Sequence, residues 1–183
     1  LNRPAYPNLP GLEHFRGEAF HSARWRHDLD LTGKRVAVIG TGASAIQFVP
    51  QIQPKVASLS LFQRSAAYVL AKPDRPYRAW EMALKRHLPL WQRADRLVQY
   101  LHHEVRALAF IRFPWLMRLF RHSFTRHLQR QMPEAGKRAQ LQPDYPMGCK
   151  RILISNDYFP ALAQANVEVV DASIREVREH SLV

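Results

Sequence analysis

Cysteine is nearly absent. Cys149 stands alone in 183 residues, so no disulfide can close within the chain, a pattern that suits a reducing cytoplasm. Long apolar runs are missing too: nothing approaches the ~20 consecutive apolar residues of a membrane-spanning helix. The opening LNRPAYPNLPGLEHF lacks the apolar centre of a secretory signal and reads as a proline-rich linker. Acid is scarce, with 15 Asp and Glu against 27 Lys and Arg and a formal net charge of +12. Such a balance would attract a polyanion. Yet zinc-finger spacing, an aromatic RNA-binding signature and a helix-turn-helix pattern are all lacking, so nucleic acid is not an expected partner. His102 and His103 are adjacent and so point in different directions on a helix, and His122 and His127 are five apart without an H-E-x-x-H arrangement. No metal site is expected, and the absence of G-x-S-x-G removes a serine hydrolase.

What is present begins with glycines. Arg35 to Ile39 is a short, mostly β-branched run that reads as a buried parallel strand, and helical spacing resumes from Ser44 to Ile52. Between them Gly40, Thr41, Gly42, Ala43, Ser44 and Ala45 fit G-x-G-x-x-G/A. Gly40 permits the tight turn, Gly42 lets a pyrophosphate reach bare backbone, and small Ala45 lets helix and strand pack closely. The phosphates would sit at the positive end of the helix that starts near Ser44. An ordinary strand-to-helix turn uses the same residues, so the following strand carries more weight. Ser58 to Gln63 reads as that strand. At its end an NAD site would carry an acid for the ribose 2′-hydroxyl; here Arg64 stands instead, with Ser65 beside it. A guanidinium can grip a 2′-phosphate with paired hydrogen bonds, which predicts NADP(H) over NAD(H). The plainer alternative is a solvated surface arginine.

Upstream, FRGEAFHSARW from Phe15 to Trp25 matches F-x-G-x-x-x-H-x-x-x-W, and downstream the chain runs DYPMGCKRILISNDYFPAL. The order of fingerprint, glycine motif and GCKR segment resembles the Baeyer–Villiger monooxygenases over essentially all 183 residues. That resemblance implies several roles. His21 would couple movement of the linker to cofactor binding, with Phe15, Gly17 and Trp25 holding the linker's shape. Lys150 would join Arg64 in contacting the 2′-phosphate, and Gln63 would also belong to the cofactor site. Arg151 would be the active-site arginine that stabilises negative charge during oxygen transfer to a ketone, as a fixed cation beside an oxyanion does. Without the flanking match, Lys150 and Arg151 would read as a surface basic pair. Arg26 follows Trp25 where the family usually has Pro or Asp. Trp25 itself favours the ketone-oxidising branch over flavin monooxygenases that oxidise nitrogen or sulfur.

The resemblance also implies FAD, held in the family by an N-terminal domain with its own G-x-G-x-x-G. No second glycine-rich strand–turn–helix occurs in this sequence. The expectation is therefore an NADPH-binding fragment of a flavoprotein oxidoreductase whose FAD-binding domain is missing here and whose substrate is a small, hydrophobic, ketone-like molecule. A stand-alone NADP(H)-binding or regulatory module is the other reading. Substrate identity and oligomeric state stay open.

The expected fold class is α/β, a Rossmann-like domain with a parallel sheet interrupted by an all-helical insertion. Residues 1–30 form the linker with its fingerprint, 31–74 and 146–183 the two parts of the nucleotide domain, and 75–145 the insertion. Within the insertion Trp80, Leu84, Leu88 and Trp91, then Leu97, Leu101, Val105 and Leu108, recur at three- and four-residue spacing, punctuated by Pro89 and Pro114. These read as helices, with Phe110, Phe113, Trp115 and Leu116 as candidates to border a pocket, although most of those four read as ordinary helical core. ALAFIRFPWLMRLFRHSF mixes apolar residues and arginines as interfacial helices do, which leaves peripheral membrane contact open beside a solvated basic face. Towards the end, a strand is expected near Arg151 to Ile154, a short helix capped by Asn156 or Asp157 and running through Gln164, and a strand over Val167 to Val170. Ile174 to Val177 would begin one more strand.

Overall fold

The computed structural model describes residues 3–183, and the side chains of all of these except 102, 103, 106–111 and 114. Its centre is a three-stranded parallel sheet in the order β1 (Arg35–Ile39), β2 (Ser58–Phe62), β5 (Val167–Val170). The register pairs Val38 with Leu61 and Leu61 with Val169. Leu59 and Leu61 of the middle strand alternate inward and are fully buried, as period-two side-chain direction requires. Helix α1 (Ala45–Ile52) places Ala45, Ile46, Val49 and Ile52 against this core, one face of a 3.6-residue period.

After β2 the chain forms β3 (Val69–Leu70), which pairs in parallel with β4 (Leu153–Ile154). Everything between leaves and returns through this two-rung clamp. Two residues are too few to show a period, so β3 has no sequence signal, and the strand expected from Arg151 is confined to its last two residues. Helix α2 (Ala79–His87) opens on a capping interaction in which the Arg78 N–H donates to Glu81 at 2.7 Å. Arg75 pairs with the same carboxylate at 2.6 Å and holds it down at about 2. Leu88 is extended, and Pro89 starts α3 (Pro89–Ile111); proline disfavours helical conformation in the residue before it and suits a helix's first turn. After a 3₁₀ turn at Pro114–Leu116, α4 (Met117–Gln131) buries Phe124 and Leu128, and α5 (Ala135–Gln140) returns the chain to the sheet.

The short helix α6 (Tyr158–Leu162) ends earlier than the sequence suggests. Neither Asn156 nor Asp157 caps it. The Ser155 hydroxyl accepts from the Asp157 and Tyr158 amides instead. Beyond β5, the strand expected from Ile174 begins only at Val177. There β6 (Val177–Arg178) turns straight back into β7 (Ser181–Leu182) as an antiparallel pair. This hairpin holds the N-terminal segment: the Val177 N–H donates to the Pro10 carbonyl at 2.7 Å and the Arg16 N–H to the Glu179 carbonyl at 2.9 Å.

Candidate nucleotide site

The glycine turn is pinned to the end of β2. Gly40 has φ +104°, a conformation that side chains disfavour, and its N–H donates to Phe62 at 2.8 Å. One residue on, the Thr41 hydroxyl donates to the Ser65 carbonyl at 3.3 Å. A Cβ added at Gly42 would meet no atom within 4 Å, so open space lies over bare backbone there. The amides of Gly42, Ala43 and Ser44 have no acceptor among the described residues and sit at the start of α1, where unsatisfied N–H groups favour an anion. Ala45 is buried, closing helix onto strand.

Across from this turn lie the cations. Lys150 reaches back to donate to the Ser65 hydroxyl at 2.6 Å, with its ammonium 4.3 Å from the centre of the Tyr145 ring. Arg64 is exposed and forms no ion pair among the described residues. Gln63, the neighbour expected to touch the cofactor, is turned inward and only 4% exposed. Its amide nitrogen donates to the Gln140 carbonyl at 2.9 Å and to Asp171 at 2.6 Å, while the Gln140 side chain donates to Val169 at 3.1 Å. Gln63 thus ties the end of α5 to the sheet.

The fingerprint residues make three local sets of contacts. A Cβ on Gly17 would lie 2.6 Å from the Phe15 ring, so the glycine makes room for that ring. His21 accepts from the Ala23 N–H at 3.0 Å, capping the turn at Ser22–Arg24. Trp25 meets Phe20 edge-on at 5.3 Å and packs on Phe48 of α1 at 5.1 Å. Arg26 binds Asp28 at 2.6 Å and Glu18 at 3.1 Å, which lowers the Asp28 carboxyl to about 2. Between the N-terminal segment, β1 and the glycine turn runs a cleft of about 920 Å³ bordered by His21, Trp25, Gly40 and Gly42. Arg151, together with Lys150, borders a second cavity of about 400 Å³ lined by Leu70, Phe120, Ile152 and Ile154.

The sequence profile of the FMO-like family, flavin-binding monooxygenase-like proteins, matches residues 3–183. The chain belongs to this family. It is 50% identical over all 183 residues to a Baeyer–Villiger monooxygenase of Pseudomonas aeruginosa and 47% identical to one of Streptomyces coelicolor, in each case covering 35% of the relative. This flavin-binding monooxygenase-like chain therefore spans about a third of the length of those curated relatives. Its fold is similar to that of a solved steroid monooxygenase bound to NADP, with a TM-score of 0.80 and 27% identity over 98% of this chain and 42% of that one. A polycyclic ketone monooxygenase of Thermothelomyces thermophila gives a TM-score of 0.81 and 27% identity over 98% of this chain and 37% of that one. The α/β architecture with a parallel sheet is shared with these flavin monooxygenases.

Within the family chain, the expected pocket residues separate. Phe110 lies outside the described residues, Phe113 and Trp115 are exposed, and neither they nor Leu116 line a cavity found here; Phe120 does. Phe120 follows Leu116 by one helical turn, a position periodicity alone does not distinguish. Tyr145 also escaped sequence reasoning, because only its contact with Lys150 across a turn gives it meaning. Trp80, Trp91, Leu97, Leu101 and Val105, whose spacing predicted the helices, are exposed. The His102 and His103 side chains are outside the described residues; His122 meets Arg126 and His127 meets Ser155. No described helix is long and apolar enough to cross a membrane.

Proposed function

We propose that this chain is the NADP(H)-binding part of an FAD-dependent monooxygenase of Baeyer–Villiger type. In this reading residues 31–74 and 146–183 form a Rossmann-like nucleotide domain, 75–145 an inserted helical unit and 1–30 the linker. The observation that carries it is the pairing of a bare glycine turn with a basic 2′-phosphate corner, Arg64, Ser65 and Lys150, bridged by the Thr41–Ser65 hydrogen bond. NADPH, when bound, supplies a hydride. The amides of residues 42–44 would take its pyrophosphate, and the open space over Gly42 fits that group. Arg64 and Lys150 would neutralise the 2′-phosphate, the guanidinium as a planar fork and the ammonium as a point charge.

FAD does not fit the described residues, which hold one glycine turn of this kind, so the flavin would be carried by other parts of the longer protein. Arg151 would hold a fixed positive charge at the mouth of an apolar cavity, where a ketone's carbonyl oxygen gains negative charge as one atom of O2 is inserted beside it. Arg64→Ala should weaken NADPH binding roughly tenfold or more while NADH binding changes little. Equal losses for both would remove Arg64 from the 2′-phosphate. Product analysis of the full-length protein with a cyclic ketone against an amine separates this reading from a nitrogen- or sulfur-oxidising monooxygenase. Binding of NADP(H) without any flavin in that protein would favour a stand-alone module.

The exposed apolar face of α2 and α3 fits burial against the flavin-carrying part. The same region carries twelve Lys and Arg against three Asp and Glu between residues 75 and 131. That excess favours a second reading, contact with anionic lipid. Flotation of the full-length protein with phosphatidylserine vesicles at physiological salt decides: recovery with the vesicles supports lipid contact, and none removes it.

A further inference from the structure

We infer that Tyr145 is a positioning residue that sets the preference for NADP(H) by holding Lys150 in place. The inference rests on the reading of Arg64, Ser65 and Lys150 as the 2′-phosphate corner. An exposed lysine samples many rotamers and must give them up to meet an anion. Lys150 is exposed, yet its ammonium is fixed from two sides, by the Ser65 hydroxyl at 2.6 Å and by the face of the Tyr145 ring at 4.3 Å. The ring face is negative and attracts a cation.

Tyr145 itself is bolted down. Its hydroxyl donates to the Ala66 carbonyl at 2.9 Å, the residue after Ser65. Its own carbonyl accepts from the Tyr68 hydroxyl at 2.8 Å, and the two rings meet edge-on at 5.4 Å. Tyr68 is fully buried. The chain then turns through Pro146 to Cys149, closed by the Cys149 N–H donating to Pro146 at 3.2 Å with Gly148 at φ +104°. That turn brings Lys150 back over the ring it has just left. Rigid contacts therefore run from the core through Tyr68 and Tyr145 to the ammonium, and the same two tyrosines hold the backbone after Ser65. Lys150 arrives preorganised, so less of its freedom is lost when a dianion binds.

The test uses adenosine 2′,5′-bisphosphate and 5′-AMP, which differ by the 2′-phosphate, titrated calorimetrically into the full-length protein. Tyr145→Leu should weaken the bisphosphate about three- to fivefold and leave 5′-AMP essentially unchanged. Tyr145→Phe keeps the ring, loses only the bond to Ala66, and should retain most of the discrimination. Equal weakening of both nucleotides in Tyr145→Leu would reduce Tyr145 to a structural residue and overturn the inference. So would a Tyr145→Phe protein that loses as much as Tyr145→Leu. Unchanged discrimination in Tyr145→Leu, with loss in Lys150→Ala, would overturn the role of Tyr145 and leave the phosphate corner standing. If neither Lys150→Ala nor Arg64→Ala lowers the discrimination, the phosphate corner falls and this inference with it.

Discussion

Helices α1 and α3 carry the same apolar spacing and meet opposite fates. In α1, Ala45, Ile46, Val49 and Ile52 are all buried against the sheet and α6. In α3, Leu97, Leu101 and Val105 repeat at four-residue intervals, yet each is more than half exposed. What joins α2 to α3 is mainly polar: Lys85 pairs with Asp95 at 2.5 Å and sits 3.5 Å over the Tyr77 ring. A hydrophobic stripe specifies a face and not a partner. The sheet supplies the partner for α1, whereas for the middle of α3 nothing described in this chain does.

The largest expected effect contrasts the two regions directly. Leu59→Ala, in the fully buried middle strand, should cost about 2–5 kcal/mol in chemical denaturation, and Leu97→Ala no more than ~0.5 kcal/mol. A comparable cost for Leu97→Ala in the full-length protein would show that its face is covered there and would dissolve the contrast.

The N-terminal segment lies between these extremes. Gly17→Ala puts a methyl 2.6 Å from the half-buried Phe15 ring, which must turn aside at a cost of about 0.5–1.5 kcal/mol. Thermal unfolding of that variant beside Phe15→Ala/Gly17→Ala checks the cause, because removing the ring should make the glycine replaceable.

The smallest effect concerns pH. His127 of α4 packs on Phe159 of α6, with Nε2 3.3 Å from the Ser155 carbonyl. Partial burial lowers its pKa below the ordinary 6.5. An unfolded chain then binds the proton more readily than the folded one, so the contribution is complete above pH ~6.5 and shrinks as pH falls through that value towards the lowered one. His127→Gln should flatten the slope of stability against pH between about 5 and 7. An unchanged slope would place the acid sensitivity elsewhere, whereas the paired Glu81, held at about 2, should hold the α2 cap intact throughout that range.

Much of the sheet was legible because strands and turns are local. The bounds of β1 and β5 follow from their β-branched runs, and the glycine turn from Gly40 and Gly42. Gln63, by contrast, sits one residue from Arg64 in sequence but faces the core, because successive side chains of a strand point to opposite sides. Which side is inward depends on Gln140 and Asp171, 77 and 108 residues away.

By itself the sequence determined the strands β1, β2 and β5, the helical character of α1 and of the middle of the chain, the glycine turn, and the basic residues beside it. These are properties of short segments, set by sterics and periodicity. Only the tertiary structure decided that Lys150 rests on Tyr145, that Gln63 is a clamp, that Ser155 and not Asp157 caps α6, and that the stripe of α3 faces outward. Each of those depends on groups that come together only when distant segments pack, and the energy of a contact cannot be read before its partner is in place.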